Sequence, residues 1–384
     1  MTTIQNVVSP YVLAWDLGNG YFKGMSDFSK PLALPNYLLL YSDYKGEKLA
    51  QAPDVYICES DPTKTEYIWM DVPTAKNKVL TYSKSKRYQR AAYKYATQIG
   101  IVKLLPLKKG VDETFYIYGQ TGVPNKEAST DAEASKHEQD LYDVIMENDG
   151  EFTVIVNGDR KTVKIVDLYI TNQPMGTLYN ALYNGLGVEE NEDLMQSNVL
   201  VFDCGSGTND FSFIRNGMIQ RDGIDSTEDA MLTVYAEVAK EVTEKKGITF
   251  EPQEYEKAYR NGSTKVKDGR KEVDFTEEIT KAIGQMLFRM EGFVSSKFDL
   301  DRADYIILTG GTANSEIFKD EFKNVFMLTD NDIHVMSAPQ MSNVMGYFKR
   351  IKRRAVLEIR KAIEKGNSTY DGRNIAQFDQ WLQE

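Results

Sequence analysis

Cysteine is nearly absent from this chain of 384 residues, which holds only Cys58 and Cys204. Two cysteines build no disulfide framework, and Cys204 sits inside a glycine turn where a bridge would be awkward, so a reducing, cytoplasmic setting is expected. Long apolar runs are missing too. None approaches the ~20 residues that a membrane-spanning helix needs, and the opening MTTIQNVVSP has neither a basic n-region nor a signal-type core, so no membrane association is expected. Positive charge is in deficit: 46 Lys and Arg against 57 Asp and Glu leave a net charge of −11. That balance argues against direct nucleic-acid binding over the whole surface. The densest basic cluster, Lys349, Arg350, Lys352, Arg353, Arg354, Arg360 and Lys361, shares its stretch with Ile351, Val356, Leu357, Ile359 and Ile363. It reads as a packed helix with basic edges. What remains, 41% hydrophobic and 27% charged residues, is the composition of an ordinary globular protein long enough for two domains, each with its own core.

The chemistry concentrates in NVLVFDCGSGTNDFSFI, Asn198 to Ile214. Val199 to Phe202 reads as a buried strand, and Gly205 and Gly207 supply positive-φ or close-approach positions that let backbone N–H groups point into one concavity. Asp203 at the strand end is placed to hold a hydrated Mg²⁺ against a phosphate, since Mg²⁺ keeps several waters and takes few protein carboxylates. Alone, this D-x-G-x-G-T pattern is a weak signal, more often a tight hairpin with a capping Asp than a phosphate site. A second copy changes the weighing: YVLAWDLGNGYFKGMSD repeats the device with Asp16, Gly18 and Gly20 after Val12 to Trp15. Two phosphate hairpins imply two halves. The first copy adds Lys23, on the same side of its strand as Tyr21, where an ammonium can reach a β-phosphate. A third glycine turn, YIILTGGTANS, follows a strand from Tyr305 to Leu308 and leads into a helix from Ser315.

Between the first two motifs, PLALPNYLLL (31–40) reads as a strand entering a new subdomain, and DVYICES and EYIWMDV as a hairpin turning at Asp61-Pro62. Ser85 to Ile101 reads as an amphipathic helix with a solvated basic face, Thr114 to Thr121 as a core strand, and 125–137 as a polar loop before a helix through Met146. Two alternating strands follow about Asn157-Gly158-Asp159. In TNQPMGTLYNALYNGLG the chain turns at Gln173-Pro174 into a helix bearing Leu178, Leu182 and Leu186. Gln173 either points into a site or caps that helix. Further on, Asp225-Ser226-Thr227 reads as an N-cap with Glu228 and Asp229 in the first helical turn and Ala230, Leu232, Val234, Val238 and Val242 facing inward, with Gly247 as the stop. The stretch 251–273 reads as a polar peripheral subdomain, Thr276 to Phe298 as a long amphipathic helix, and Asn343 and Gly346 as the start of another.

Three strand-turn units in this order resemble the phosphate 1, phosphate 2 and adenosine motifs of the actin, Hsp70 and hexokinase superfamily. The G-x-G-Y-x-K form of the first and the N-V-M-G-Y stretch resemble the ParM and Alp group of bacterial plasmid-segregation actins. The resemblance implies an actin-like fold of two related ribonuclease-H-like α/β domains around a nucleotide cleft: 1–172 with an insert at about 35–110, 173–345 with a peripheral part at about 247–275, and a C-terminal helix and tail over 346–384. It implies ATP or ADP, with GTP as the alternative nucleotide, and Mg²⁺ as cofactors. Asp16 and Asp203 would hold the metal. Gly18, Asn19, Gly20, Tyr21 and Lys23 would bind phosphates from one side and Gly205, Ser206, Gly207 and Thr208 from the other, with Gly310, Gly311, Thr312 and Ala313 at the nucleoside. Asp210 would assist the metal waters or pair with a neighbouring N–H. Gln173 would orient the attacking water, where the group usually has an acid, and the helix start bearing Asn343 and Gly346 would be the second interdomain helix, whose small residue lets two helices cross closely. The implied function is an ATPase that polymerises with itself into filaments and moves plasmid DNA through a DNA-binding adaptor protein. The alternative is a monomeric ATP-dependent phosphotransferase. The tail beyond Arg354, with Phe378, Trp381 and Leu382, has no counterpart in the group.

Overall fold

The computed structural model describes residues 10–18, 20–45, 52–72, 75–81, 87–124 and 132–364. The chain divides into two units, Met1–Glu190 with Asn343–Glu384, and Asn191–Ser342.

In the first unit, the strands β1 (Tyr11–Leu17), β2 (Tyr21–Ser26), β3 (Leu32–Pro35), β4 (Tyr37–Leu40), β5 (Tyr56–Cys58), β6 (Tyr67–Ile68), β7 (Lys78–Leu80), β8 (Glu113–Val123), β9 (Glu151–Val156) and β10 (Asp159–Asn172) share one sheet. Its order is β3-β2-β1-β8-β10-β9-β5-β6-β4-β7. β1, β8 and β10 run parallel at the centre, and β1-β2-β3 is an antiparallel meander. The expected single strand over 31–40 is two: β3 closes the central meander, and the chain breaks at Asn36 before β4 enters the insert. The insert extends the same sheet. Asn157 (φ 53°) and Gly158 (φ 99°) both take the left-handed region, the requirement of a two-residue hairpin turn between β9 and β10.

Two helices, α1 (Ala91–Lys103) and α2 (Ala132–Ile145), contribute to the core on one face of this sheet, with Leu13, Trp15 and Phe22. α1 departs from expectation. It starts at Ala91 behind a short 3-10 turn, and every residue from Tyr95 to Val102 is buried, so it is a core helix without a solvated basic face. Lys94 is tied up by Glu147, and Lys84 and Lys86 lie outside the described residues. α2 starts at Ala132, so the polar segment ahead of it is shorter than 125–137; 125–131 lie outside the described residues. After β10 comes α3 (Gln173–Leu182), in which Leu178 and Leu182 are buried; Leu186 falls beyond its end.

The second unit opens with the short α4 (Glu192–Gln196) and repeats the plan. β11 (Asn198–Cys204), β12 (Asn209–Arg215), β13 (Met218–Thr227), β16 (Tyr305–Thr309) and β17 (Ile333–Val335) form a sheet ordered β13-β12-β11-β16-β17. An antiparallel meander is again followed by strands parallel to the first, so both sheets share the 3-2-1-4-5 order of the ribonuclease-H-like topology. α5 (Met231–Lys246), α7 (Thr276–Ser295) and α8 (Glu316–Phe326) pack with Leu200, Phe202, Phe211 and Leu308 in one core. Phe202 sits edge-on to Phe211, Phe322 and Phe326. The peripheral part is α6 (Pro252–Arg260) with the hairpin β14 (Lys265–Asp268) and β15 (Lys271–Asp274), and α6 is started by a capping box between Glu251 and Glu254.

The expected N-cap at 225–227 is a strand instead. Asp225, Ser226 and Thr227 pair with Phe211, Asp210 and Asn209, and sheet pairing outweighs the capping preference of these residue types. α5 therefore starts at Met231, Glu228 and Asp229 precede it, and Leu232 is 53% exposed while Met231 and Tyr235 take its place inside. Gly247, at φ 65°, ends it as expected.

The last described helix, α9 (Ser342–Glu364), returns to the first unit. The expected boundaries at 172 and 345 shift accordingly, and 173–190 stay with the first unit. The physical reason is a backbone crossing: a Cβ on Gly346 would lie 1.7 Å from the Gly176 carbonyl oxygen, and one on Gly176 would lie 2.6 Å from that of Asn343. Side chains lock the crossing, with Thr177 Oγ1 2.7 Å from Asn343 Oδ1 and Lys349 donating to the Asn180 carbonyl at 2.7 Å. Five residues of the basic cluster, Lys349, Arg350, Lys352, Arg353 and Arg354, enter the same packing, while Lys361 pairs with Glu358 on the exposed side of the helix. Lys352, 3% exposed, pairs with Asp27 at 2.9 Å, Arg353 with Glu189 at 3.1 Å, and Arg350 and Arg354 lie over Tyr179 and Tyr169. Burial lowers the pKa of Lys349. Phe378, Trp381 and Leu382 lie outside the described residues.

Candidate functional site

Each unit carries one glycine hairpin at the same place in its sheet, between the first strand and the second. In the first unit Gly18 N donates to Tyr21 O at 3.0 Å and closes the turn. Asp16, 2% exposed, lies one residue before the end of β1, opposite Lys23 in register, and Lys23 Nζ stands 3.3 Å from Asp16 Oδ2. Tyr21 and Lys23 share a side of β2, as alternation requires. Gln173 Nε2 donates to Asp16 Oδ1 at 2.9 Å. The N-cap of α3 is Asn172, and the Gln173 side chain reaches a carboxylate 157 positions away and does not cap its own helix. Asn19 lies outside the described residues.

A residue that sequence reasoning missed fastens this turn. Asn36 donates its backbone N–H to Gly20 O at 3.0 Å and its side-chain amide to Gly18 O. The signal was available: Asn36 is the one polar residue within the apolar stretch LALPNYLLL, and it lies where β3 breaks from β4.

In the second unit Gly205 N donates to Thr208 O at 2.9 Å, the same closure three residues apart. Asp203 and Asp210 stand directly opposite across the hairpin, and Asp210 Oδ2 accepts from Thr208 Oγ1 at 3.1 Å. Two like charges in a cross-strand pair are mutually destabilising. The Ser206 carbonyl accepts from Leu232 N in the first turn of α5 at 2.8 Å, and the buried Asn209, also missed from sequence, donates to Asp229 O at 2.8 Å. The third glycine turn joins this hairpin. Gly310 adopts φ 88°, a Cβ there would lie 2.3 Å from Cys204 O, and Thr312 Oγ1 reaches Gly205 O at 3.4 Å. Thr312 and Ala313 are buried beside the exposed Gly311, and Ser315 caps α8 by accepting from Phe318 N. Burial and the neighbouring Asp203 hold the Cys204 thiol far above its usual pKa, so it is no nucleophile.

One expectation fails in an informative way. None of Gly18, Gly205 and Gly207 has a positive φ. A Cβ on Gly205 would crowd Thr208 O at 2.9 Å, but one on Gly20 meets nothing within 4 Å, and those on Gly18 and Gly207 meet only ordinary contacts at 3.6 Å and 3.9 Å. At Gly18, Gly20 and Gly207 no described neighbour crowds a Cβ, so packing does not demand glycine there, and its small size lets a ligand approach the backbone closely. No group of three or more His, Cys, Asp or Glu able to hold a metal directly exists among the described residues. Single carboxylates, such as Asp16 and Asp203, suit a cation that retains its water shell, which is the habit of Mg²⁺.

A family model described as the archaeal actin homologue MreB-like, C-terminal, matches residues 201–324. No curated protein matches the sequence. Among solved structures, the apo pSK41 ParM protein is 21% identical with a TM-score of 0.68, covering 92% of this chain and 99% of that one. The archaeal actin homologue Ta0583 is 16% identical with a TM-score of 0.71, covering 90% and 99%; it matches also as a complex with ADP. A 15-stranded ParM filament from Clostridium botulinum is 15% identical with a TM-score of 0.67, covering 90% and 100%. The fold of this chain is the actin-like fold. No helix among the described residues is long and apolar enough to cross a membrane.

Proposed function

We propose that this protein is a cytoplasmic actin-like ATPase that assembles with itself into filaments when ATP is bound and loses them on hydrolysis. The observation that carries the reading is the repetition of one device: an Asp near the end of the first strand, followed by a glycine turn in which packing leaves room for a side chain at Gly18, Gly20 and Gly207, in each of two sheets of the same order. The ADP complex of Ta0583 and the ParM filament support it by analogy of fold. Gly18, Gly20, Tyr21 and Lys23 of one hairpin and Gly205, Ser206, Gly207 and Thr208 of the other bind phosphate oxygens, Gly310, Gly311, Thr312 and Ala313 contact the nucleoside, and Asp16 and Asp203 hold hydrated Mg²⁺. The cation supplies neutralisation of phosphate charge. Gln173 is a positioning group: its amide cannot act as a strong base, and phosphoryl transfer asks mainly for orientation and electrostatics. A phosphotransferase would need an acid there to accept a substrate hydroxyl proton, and Gln173 favours water and the filament.

Light scattering at 90° after addition of Mg-ATP tests the reading. A rise that decays as phosphate is released is expected; ATP turnover that needs an added alcohol or sugar, without scattering, would identify the phosphotransferase instead. Gln173→Ala is expected to slow phosphate release about 100-fold while leaving the rise in scattering intact, so that filaments last longer. Failure of that variant to assemble would make Gln173 structural. Gly20→Ala should melt within about 0.5 kcal/mol of the parent, because its Cβ enters open space, yet bind nucleotide at least tenfold more weakly in an anisotropy titration. Unaltered binding would remove the first hairpin from the phosphate site.

Arg350, Lys352, Arg353 and Arg354 of α9 are engaged with Tyr179, Asp27, Glu189 and Tyr169, and the net charge is −11. Plasmid DNA is accordingly taken up through a separate DNA-binding adaptor.

A further inference from the structure

Gln120 lies on β8, 1% exposed, and its Nε2 is buried with no hydrogen-bond partner among the described residues. β8 runs parallel to β1 with Gln120 in register with Ala14, and on its other side Gln120 is in register with Tyr169. Paired residues share a face, and alternation carries that face from Ala14 to Asp16. Gln120 is therefore the diagonal neighbour of Asp16, at a Cα separation of roughly 7–8 Å that long side chains bridge. The opposite face, with Leu13, Trp15 and Ile117, is the apolar core; the face of Asp16 and Gln120 is the one on which α9 lies.

The surroundings of that amide are polar as well as buried. Two residues further along β8, Gly122 has no side chain, and the space its Cβ would take lies 2.0 Å from the Tyr347 hydroxyl of α9. Asp16 itself accepts from Gln173 and faces Lys23. A buried donor without a partner costs more than an ordinary hydrogen bond contributes, so native structures satisfy such groups, often with an internal water that takes two to four polar contacts.

We propose that Gln120 is a positioning residue for Asp16, acting through an internal water that accepts from Gln120 Nε2 and donates to the Asp16 carboxylate. This bridge holds the carboxylate plane so that Oδ1 meets Gln173 and Oδ2 meets Lys23, and it ties the metal-binding acid to the strand that α9 covers. Its bearing on catalysis rests on the ATPase reading above; the bridge itself does not.

Two measurements on the full chain test it. A crystal structure of the nucleotide-free protein at a resolution that orders internal waters should contain a water within hydrogen-bond distance of both Gln120 Nε2 and an Asp16 oxygen. A Gln120 amide paired elsewhere, or a water that does not reach Asp16, would overturn the proposal. In Gln120→Met, which keeps length and removes both polar atoms, the Mg²⁺ concentration for half-maximal ATP turnover should rise about tenfold, as when a group supporting a metal ligand is lost, while the melting temperature stays level or rises because a buried polar group has gone. An unchanged Mg²⁺ requirement in a folded variant would sink the positioning role. A wild-type protein that hydrolyses no ATP would defeat the ATPase reading alone, with the crystallographic result still deciding the bridge, as it also does for a variant that fails to fold.

Discussion

Gly346→Ala should destabilise the first unit by about 3 kcal/mol, a fall in melting temperature of roughly 10 °C for a body of this size. The new methyl carbon would sit 1.7 Å from Gly176 O and 2.7 Å from Asn180 N. Both are backbone atoms of a helix, so no rotamer change relieves the overlap and α3 and α9 must separate. Separation would also loosen the Thr177 to Asn343 hydrogen bond and the Lys349 contact with Asn180 O. Because Gln173 begins α3, loss of activity should accompany loss of stability. Thermal and urea denaturation give the magnitude, and a variant as stable as the parent would mean that the two helices do not cross at these glycines.

Asp203→Ala should do the reverse, removing activity and sparing the fold. Loss of a group that acts on charge developing at the phosphates is expected to reduce ATP hydrolysis about 100- to 1000-fold. Stability should hold or improve, since Asp203 and Asp210 face each other across β11 and β12 and removal of one relieves like-charge repulsion. Phosphate release and a melting curve on the same preparation separate the two effects. Turnover at the parental rate would take Asp203 out of the site, and a collapse of the fold would show that its carboxylate is structural.

The strands around the glycine turns were legible because their signals are local. An apolar run ending in Asp and then Gly-x-Gly needs only its own alternation and turn chemistry to become a hairpin, and β1–β2 and β11–β12 appeared where the pattern placed them. Gly247, Ser315 and the Asn157-Gly158 turn were readable for the same reason: each acts on backbone groups within a few residues. Errors fell where a distant partner decided. Asp225 to Thr227 have good capping chemistry, yet β12 claimed them as a strand, and basic residues crowd the approach to α1, yet tertiary packing buried the helix itself.

The sequence by itself determined two related halves, each with an acid before a glycine turn, and left Gln173 divided between a helix cap and a site. Only the tertiary structure brought Gln173 to Asp16 across 157 positions, Asn36 to the turn at Gly18, and Gly346 onto Gly176. It alone exposed the buried amide of Gln120 beside them, because a hydrogen bond or a close approach between remote segments is set by strand register and helix crossing, and neither leaves a periodic trace in the chain.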